Sequence, residues 1–308
     1  MAALPRLGGD RLPRIWAGER LHLVYCCFLA CAQYSAPLRR KMADGCVWEP
    51  GTSVLKMDRL PYHPVSSRRD RLLNLLRPVF EFLGIAWLSR PALNGLDTAL
   101  ERLLPQHGGW FVEAGAYDGF QQSNSYYFAR MKGWRGVLIE PLPQLAAICR
   151  RRRPESLVVS CALGDPESEG TNLQLRHAGL MTMVCGAFGD EGKERQRAAE
   201  GLAVQGLPVA EQFVTASVRT LTSVLVETAT PQDFDLLSLD VEGMEVAVLR
   251  GLDLTRFRPK AICIEVRHEN LAAVTHLLQR HYDRPLHLTA NENYTDCCFK
   301  RLQNVPPQ

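Results

Sequence analysis

The sequence predicts an α/β fold built on a doubly wound, mostly parallel sheet. Short apolar runs recur from Trp110 onward, "WFVEAG", "GVLIEP", "LVVSCAL", "FDLLSLD" and "AICIEV". Each is bounded by turn residues, as suits strands buried on both faces. Between them lie segments with helical apolar spacing, "SNSYYFARMK", "LPQLAAICRRRR", "MEVAVLRGL" and "NLAAVTHLLQRHY". Strand and helix alternating in this way close into a parallel sheet. Every run also leads into polar or glycine-rich sequence, so the strand ends converge on one polar edge.

The elements follow in order. Residues 1–65 are rich in Pro, Gly and Arg and read as a poorly ordered extension. Inside it, 21–36 ("LHLVYCCFLACAQYSA") carries an apolar stretch too short for a comfortable membrane span, so it offers weak membrane association at most. Residues 66–106 form a helical lead-in. There "SSRRDRLLNLLRPVFEFLGIAWL" has helical spacing with Pro78 expected to kink or break it, and "ALNGLDTALERLLP" stops at Pro105. The main domain is 107–303. Within it, 165–220 is a longer, partly β-like insertion ("NLQLRH", "FVTASVRT"). The final "LHLTANENYTDCCFKRL" reads as two strands around an Asn/Asp-rich turn.

An apolar fraction of 46% and a charged fraction of 22% belong to an ordinary globular protein, and a net charge of +3 is too small to argue for nucleic acid. The run Arg150–Arg153 reads as a solvated helix end that complements the dipole. The ten cysteines show no C-x-x-C pair and no His/Cys ligand spacing, so no metal site is expected. Cys161 and Cys263 fall in expected buried strands, where cysteine acts as a small hydrophobe. Cysteine use leaves the compartment open.

Ligands of open α/β sheets bind beyond the carboxyl ends of the strands. Those ends carry Glu113, Gly115 and Gly119, then Glu140, then "CALGD" up to Asp165, then "DVEG" from Asp240, then "EVRH" up to His268. The two glycines permit a sharp turn and close backbone approach. A dinucleotide loop would read G-x-G-x-x-G, whereas this one is G-x-x-x-G with Glu113 and Asp118 in or beside it. Two carboxylates repel a pyrophosphate and suit a cationic ligand, which favours S-adenosylmethionine over a nicotinamide dinucleotide. Glu140, about 20 residues on, stands where a carboxylate takes both ribose hydroxyls, a feature that both cofactor classes share.

At this point the sequence resembles a known family. "FVEAGAYDG", "GVLIEP", "CALGD", "VRTLTSVL", "LLSLDVEGMEVAVLRGL" and "ICIEV" occur in the order of FkbM-type S-adenosylmethionine-dependent methyltransferases, over about Gly108 to Arg301. The resemblance implies a Rossmann-like class I methyltransferase fold, a mostly parallel seven-stranded sheet with the last strand antiparallel. It also implies O-methylation of a hydroxyl on a small molecule or glycan. Its cofactor pocket would include Glu113, Gly115, Gly119, Glu140 and the "CALGD" loop, with Asp165 or the backbone of Ala162 meeting the adenine. Tyr117 and Asp118 join the cofactor side from their own place in the glycine loop. One departure is Leu221-Thr222, where the family commonly has Leu-Asp.

Methyl transfer to oxygen needs an aligned acceptor and a group that takes its proton. Asp240 is the preferred positioning group or base, with Glu242 close behind it and His268 the competing base. Asp240 equally suits the N-cap of "GMEVAVLRG", and His268 suits a surface position before "NLAAV". The alternative is a methyltransferase fold kept as a silent binding or trafficking module.

Overall fold

The computed structural model describes residues 68–302, which belong to one compact unit, Arg59–Gln308. The expectations for 1–65, including the 21–36 segment, lie outside the described residues. Helix α1, Arg68–Phe82, continues through Pro78. An interior proline costs about 3 kcal/mol in a free helix, so the expected break is overridden by anchors on both sides of it. Arg77 stacks 3.4 Å over the Phe120 ring, and Glu81 accepts from Ser89 and Tyr126 at 2.9 Å each. Helix α2, Leu96–Leu103, ends ahead of Pro105.

The main domain then runs β1 (Trp110–Ala114), α3 (Tyr126–Lys132), β2 (Arg135–Ile139), α4 (Pro143–Arg152) and β3 (Leu157–Val159). It continues with β4 (Ala162–Gly164), β5 (Asn172–Arg176), β6 (Met183–Val184), α5 (Glu191–Val204) and β7 (Phe213–Thr220). The last part is α6 (Leu221–Glu227), β8 (Leu236–Leu239), α7 (Glu245–Arg250), β9 (Ala261–Arg267), α8 (Leu271–Leu278), β10 (Leu286–Ala290) and β11 (Tyr294–Lys300). Seven strands form the main sheet in the order β10-β11-β9-β8-β1-β2-β3. Only β11 runs against its neighbours, between β9 and the edge strand β10. This is the class I methyltransferase arrangement that the resemblance implied.

Along β1, Phe111 and Val112 point to opposite faces, and both are fully buried. Val112, Ile139, Leu239 and Ile264 pack with Val248 and Val274 on one side, while Phe111, Leu138 and Cys263 pack with Phe128 and Trp134 on the other. Burial on both faces is why these strands read as continuous apolar runs rather than alternating ones.

Two expectations need correction. "LVVSCAL" is not one strand: β3 pairs with β2, whereas β4 leaves the main sheet and pairs with β7. The insertion is also more than β-like, since it builds a second sheet, β4-β7-β5-β6, together with α5. The signal for α5 was present, with Asp190 as N-cap accepting from Lys193 N at 3.0 Å and Glu194, Ala198, Gly201 and Leu202 buried at helical spacing.

Candidate active site

The loop after β1 is organised by its own carboxylates. Gly115 turns at φ +84°, and its N–H and that of Ala116 both donate to the Ile139 carbonyl, at 3.1 and 3.2 Å. Buried Glu113 accepts from Asn124 N at 2.7 Å, Ser123 Oγ at 2.9 Å and Ser125 Oγ at 2.5 Å. Asp118, also fully buried, accepts from Phe120 N at 2.9 Å, Gln121 N at 2.8 Å and Gln121 Nε2 at 3.0 Å, and pairs with Arg152. Both acids therefore staple the loop from within and neither lines the cleft, which corrects the charge argument made from the sequence.

Arg153 was expected to be solvated and is fully buried instead. It donates to the Gly119 carbonyl and to Ser125 Oγ at 3.2 Å each, and to Glu155 at the same distance. Gly119 sits at φ +77°, where a Cβ would come within 3.2 Å of the Arg153 stem. The left-handed φ and the close packing of Arg153 and Cys149 both favour glycine here.

Above this loop opens a cleft of about 840 Å³ of solvent-connected space, bounded by Gly115, Tyr117, Glu140, Ala162, Asp240 and Glu242 among others. Buried Glu140, one residue past β2, accepts from Tyr117 N at 2.8 Å and Leu142 N at 2.9 Å. Burial lifts its pKa to about 8, against the pull of those two N–H groups and with a smaller push from Asp118. A carboxylate has about four acceptor positions, so two remain for a ligand. Ala162 lies in an apolar wall with Leu142, Leu145, Leu163 and Leu175. Asp165 does not reach the cleft, because it caps a short 3₁₀ turn by accepting from Ser168 N at 3.0 Å. The insertion contributes Gly179, Leu180, Thr182 and Val184 to the lining.

The side of the cleft beyond β8, β9 and β11 is acidic. Leu239 pairs with Ile264 in the register of β8 and β9, and Glu265 pairs with Asp296 in that of β9 and β11. Asp240, Glu265 and Asp296 therefore form a row across three neighbouring strands. Burial first, and then Glu265, Glu242, Glu245 and Asp296, hold the Asp240 pKa well above the usual carboxylate range. Burial and the same neighbours raise Glu265 to about 7. Among the described residues nothing donates to the Asp240 carboxylate, and the N-cap of α7 is Met244, so the capping reading does not hold. Glu242, at φ +48°, lines the cleft and pairs with Arg197 Nη2 of α5 at 3.1 Å.

His268 is not brought to this group. It is exposed in the turn after β9, its backbone N–H donating to Asn293 O at 3.1 Å, and it does not line the cleft. Arg267 pairs with Glu269 at 2.9 Å. Thr222, at the divergent Leu-Thr position, donates to the Gly251 carbonyl at 2.8 Å and accepts from Asp253 N at 2.7 Å, which ties α6 to the end of α7.

A family model described as the methyltransferase FkbM domain matches residues 113–285. No curated protein matches the chain. Among solved structures, methyltransferase FkbM from Methylobacillus flagellatus KT is similar at 15% identity and a TM-score of 0.38, over 74% of this chain and 60% of that one. The O-methyltransferase from Bacillus cereus in complex with SAH is similar at 12% identity and a TM-score of 0.38, over 78% and 93% of the two chains. A TehB-like SAM-dependent methyltransferase from Corynebacterium glutamicum is similar at 11% identity and a TM-score of 0.36, over 75% and 99%. With more than half of its length matched, the chain belongs to the FkbM family of S-adenosylmethionine-dependent methyltransferases.

Proposed function

We propose that the protein methylates a hydroxyl oxygen of a small molecule or glycan, with Asp240 taking the hydroxyl proton. The observation that carries this reading is the Asp240 carboxyl, which lines the cleft without a hydrogen-bond donor and holds its proton more tightly than an ordinary aspartate. A base poised in this way is suited to accept a proton as the new C–O bond forms and the methyl–sulfur bond breaks. S-adenosylmethionine supplies, when bound, a methyl carbon already activated by its sulfonium.

The residues present fit that cofactor. Glu140 retains acceptor capacity for two ribose hydroxyls, Gly115 and Tyr117 bring backbone to the cleft, and the wall around Ala162 suits a flat apolar base. Glu113, Asp118, Gly119 and Arg153 shape the loop from below. Asp240 receives the proton, and Glu242 sets the charge beside it. The insertion's Leu180 and Thr182 narrow the acceptor side and keep water from the reacting atoms. In this reading 107–303 is the methyltransferase domain and 66–106 its helical lead-in.

The test is calorimetric titration of the full chain with S-adenosylmethionine beside Glu140→Ala, followed by a screen of hydroxyl acceptors for S-adenosylhomocysteine release. Saturable binding lost in the variant, with turnover on a hydroxyl lost in Asp240→Asn, supports the proposal. Tight binding with turnover only on amine or thiol acceptors overturns it. Binding with no turnover on any acceptor points to a silent binding module.

A further inference from the structure

On the acidic side of the cleft, Glu242 is engaged by a residue that does not itself line the cleft. Arg197 projects from α5 of the insertion and pairs with Glu242 at 3.1 Å. Its guanidinium lies 4.7 Å from the Tyr294 ring and 5.3 Å from the Phe188 ring. Phe188 is itself fixed, since its N–H donates to buried Glu194 at 3.0 Å. It also packs over Gly243, where a Cβ would stand 3.8 Å from the Phe188 ring. Glu242 and Gly243 take consecutive left-handed conformations, at φ +48° and +98°. The turn that carries Glu242 is thus pressed between the sheet and the insertion, with Arg197 at the contact.

The charges around Asp240 come from every element packed on it. Glu242 and Glu245 lie on its own turn and on α7, Glu265 and Arg267 on β9, Tyr294 and Asp296 on β11, and Arg197 on α5. Four carboxyls other than Asp240 face two guanidiniums. Arg267 is partly engaged by Glu269. Arg197 is therefore the cation most committed to the carboxyl that lies beside Asp240 in the cleft.

We propose that Arg197 is a positioning residue for the transfer site, holding Glu242 through their 3.1 Å ion pair so that Asp240, and not Glu242, is the carboxyl of the cleft that accepts the hydroxyl proton. The inference rests on the reading of Asp240 as proton acceptor and deepens it. It makes the insertion an electrostatic part of the site. Without Arg197, the unpaired charge of Glu242 binds the proton more tightly at the Asp240–Glu242 pair, and the pair's apparent midpoint moves to higher pH.

The test needs no acceptor. S-adenosylmethionine and S-adenosylhomocysteine share ribose, adenine and amino acid but differ by the sulfonium charge. Glu140 therefore affects both alike, and the ratio of their affinities reports charge near the sulfur. Calorimetric titrations of the full chain with each ligand, from about pH 5 to 9, are made on wild type, Arg197→Met, Arg197→Lys, Glu242→Gln and Asp240→Asn. In the wild type the ratio favours S-adenosylmethionine more strongly as pH rises through one midpoint, and the step is lost in Asp240→Asn. In Arg197→Met the midpoint rises by about one unit, so the ratio at fixed pH falls by up to about tenfold. Arg197→Lys restores the wild-type midpoint. Glu242→Gln, which removes one of the carboxyls that raise Asp240, moves it downward, and it reads the same pairing if Arg197→Met fails to fold.

A midpoint unchanged in both Arg197→Met and Glu242→Gln, with the step still lost in Asp240→Asn, overturns the role of Arg197 and leaves the Asp240 reading standing. A wild-type ratio independent of pH, or a step intact in Asp240→Asn, removes Asp240 itself and the inference with it.

Discussion

The backbone carbonyl of Asp240 occupies the place that a side chain on Gly115 would need, 1.9 Å from an ideal Cβ. The turns that follow β1 and β8 therefore meet at main-chain distance. The turn that carries Gly115 is locked to the turn that carries Asp240.

Gly115→Ala should accordingly be severe. The new methyl group meets backbone that cannot move without displacing Asp240, at a φ of +84° that side chains rarely adopt. A loss of about 3 kcal/mol or more of stability is expected in urea unfolding, together with loss of S-adenosylmethionine binding. Gly108→Ala separates the two causes. At φ +71° with nothing within 4 Å, it should lose only about 1 kcal/mol.

Glu113→Ala leaves Ser123, Ser125 and the Asn124 N–H without their shared acceptor and frees the Ser125 hydroxyl to which Arg153 donates. A loss of about 3 kcal/mol follows for leaving such buried donors unmet. Cofactor affinity should fall as well, although Glu113 does not border the cleft. Thermal melting and calorimetry on the same samples check both, and unchanged affinity in a folded variant would contradict the role given to the staple.

Glu140 should release a proton when ligand binds. Hydroxyl donors favour its ionised form, and its pKa in the ligand-free protein is raised to about 8. Affinity for S-adenosylhomocysteine should rise with pH up to about 8, approaching tenfold per unit well below it. Calorimetry in buffers of different ionisation enthalpy counts the proton. Glu140→Gln should abolish the pH dependence and weaken binding.

The acid row should make the ligand-free protein lose stability as pH rises. Glu265 titrates near 4.5 when unfolded and about 7 when folded, so between those values the folded state holds more protons. Raising pH through that window favours unfolding, and Glu245, also raised to about 7, acts in the same direction. Glu265→Gln should flatten the decline, as read from melting temperatures across the window. A decline as steep in the variant as in the wild type counts against the cause.

Asp240→Asn should lower kcat by about 10²–10⁴ while S-adenosylmethionine affinity changes little at neutral pH. His268→Ala should keep wild-type rates, since the histidine is exposed away from the cleft. Initial rates on the acceptor found by screening decide between them.

By itself the sequence determined the alternation of elements, the edge of the sheet where the site lies, and Gly115, Glu140 and Asp240 as cleft residues. Each of these is local: an apolar run buried on both faces, a glycine at a turn, an acid just past a strand end. Tertiary structure decided which acids face the cleft. Glu113 and Asp118 look like Glu140 in the sequence but spend their oxygens on loop N–H groups and hydroxyls, because burial makes unmet donors costly. It also drew Arg153 inward, left His268 outside and sent β4 to a second sheet. Arg197 meets Glu242 from 45 residues away in sequence, through an insertion whose packing no spacing rule describes. Pairings of that range depend on which surfaces fold against each other, and that is settled by the buried core as a whole rather than by any segment of it.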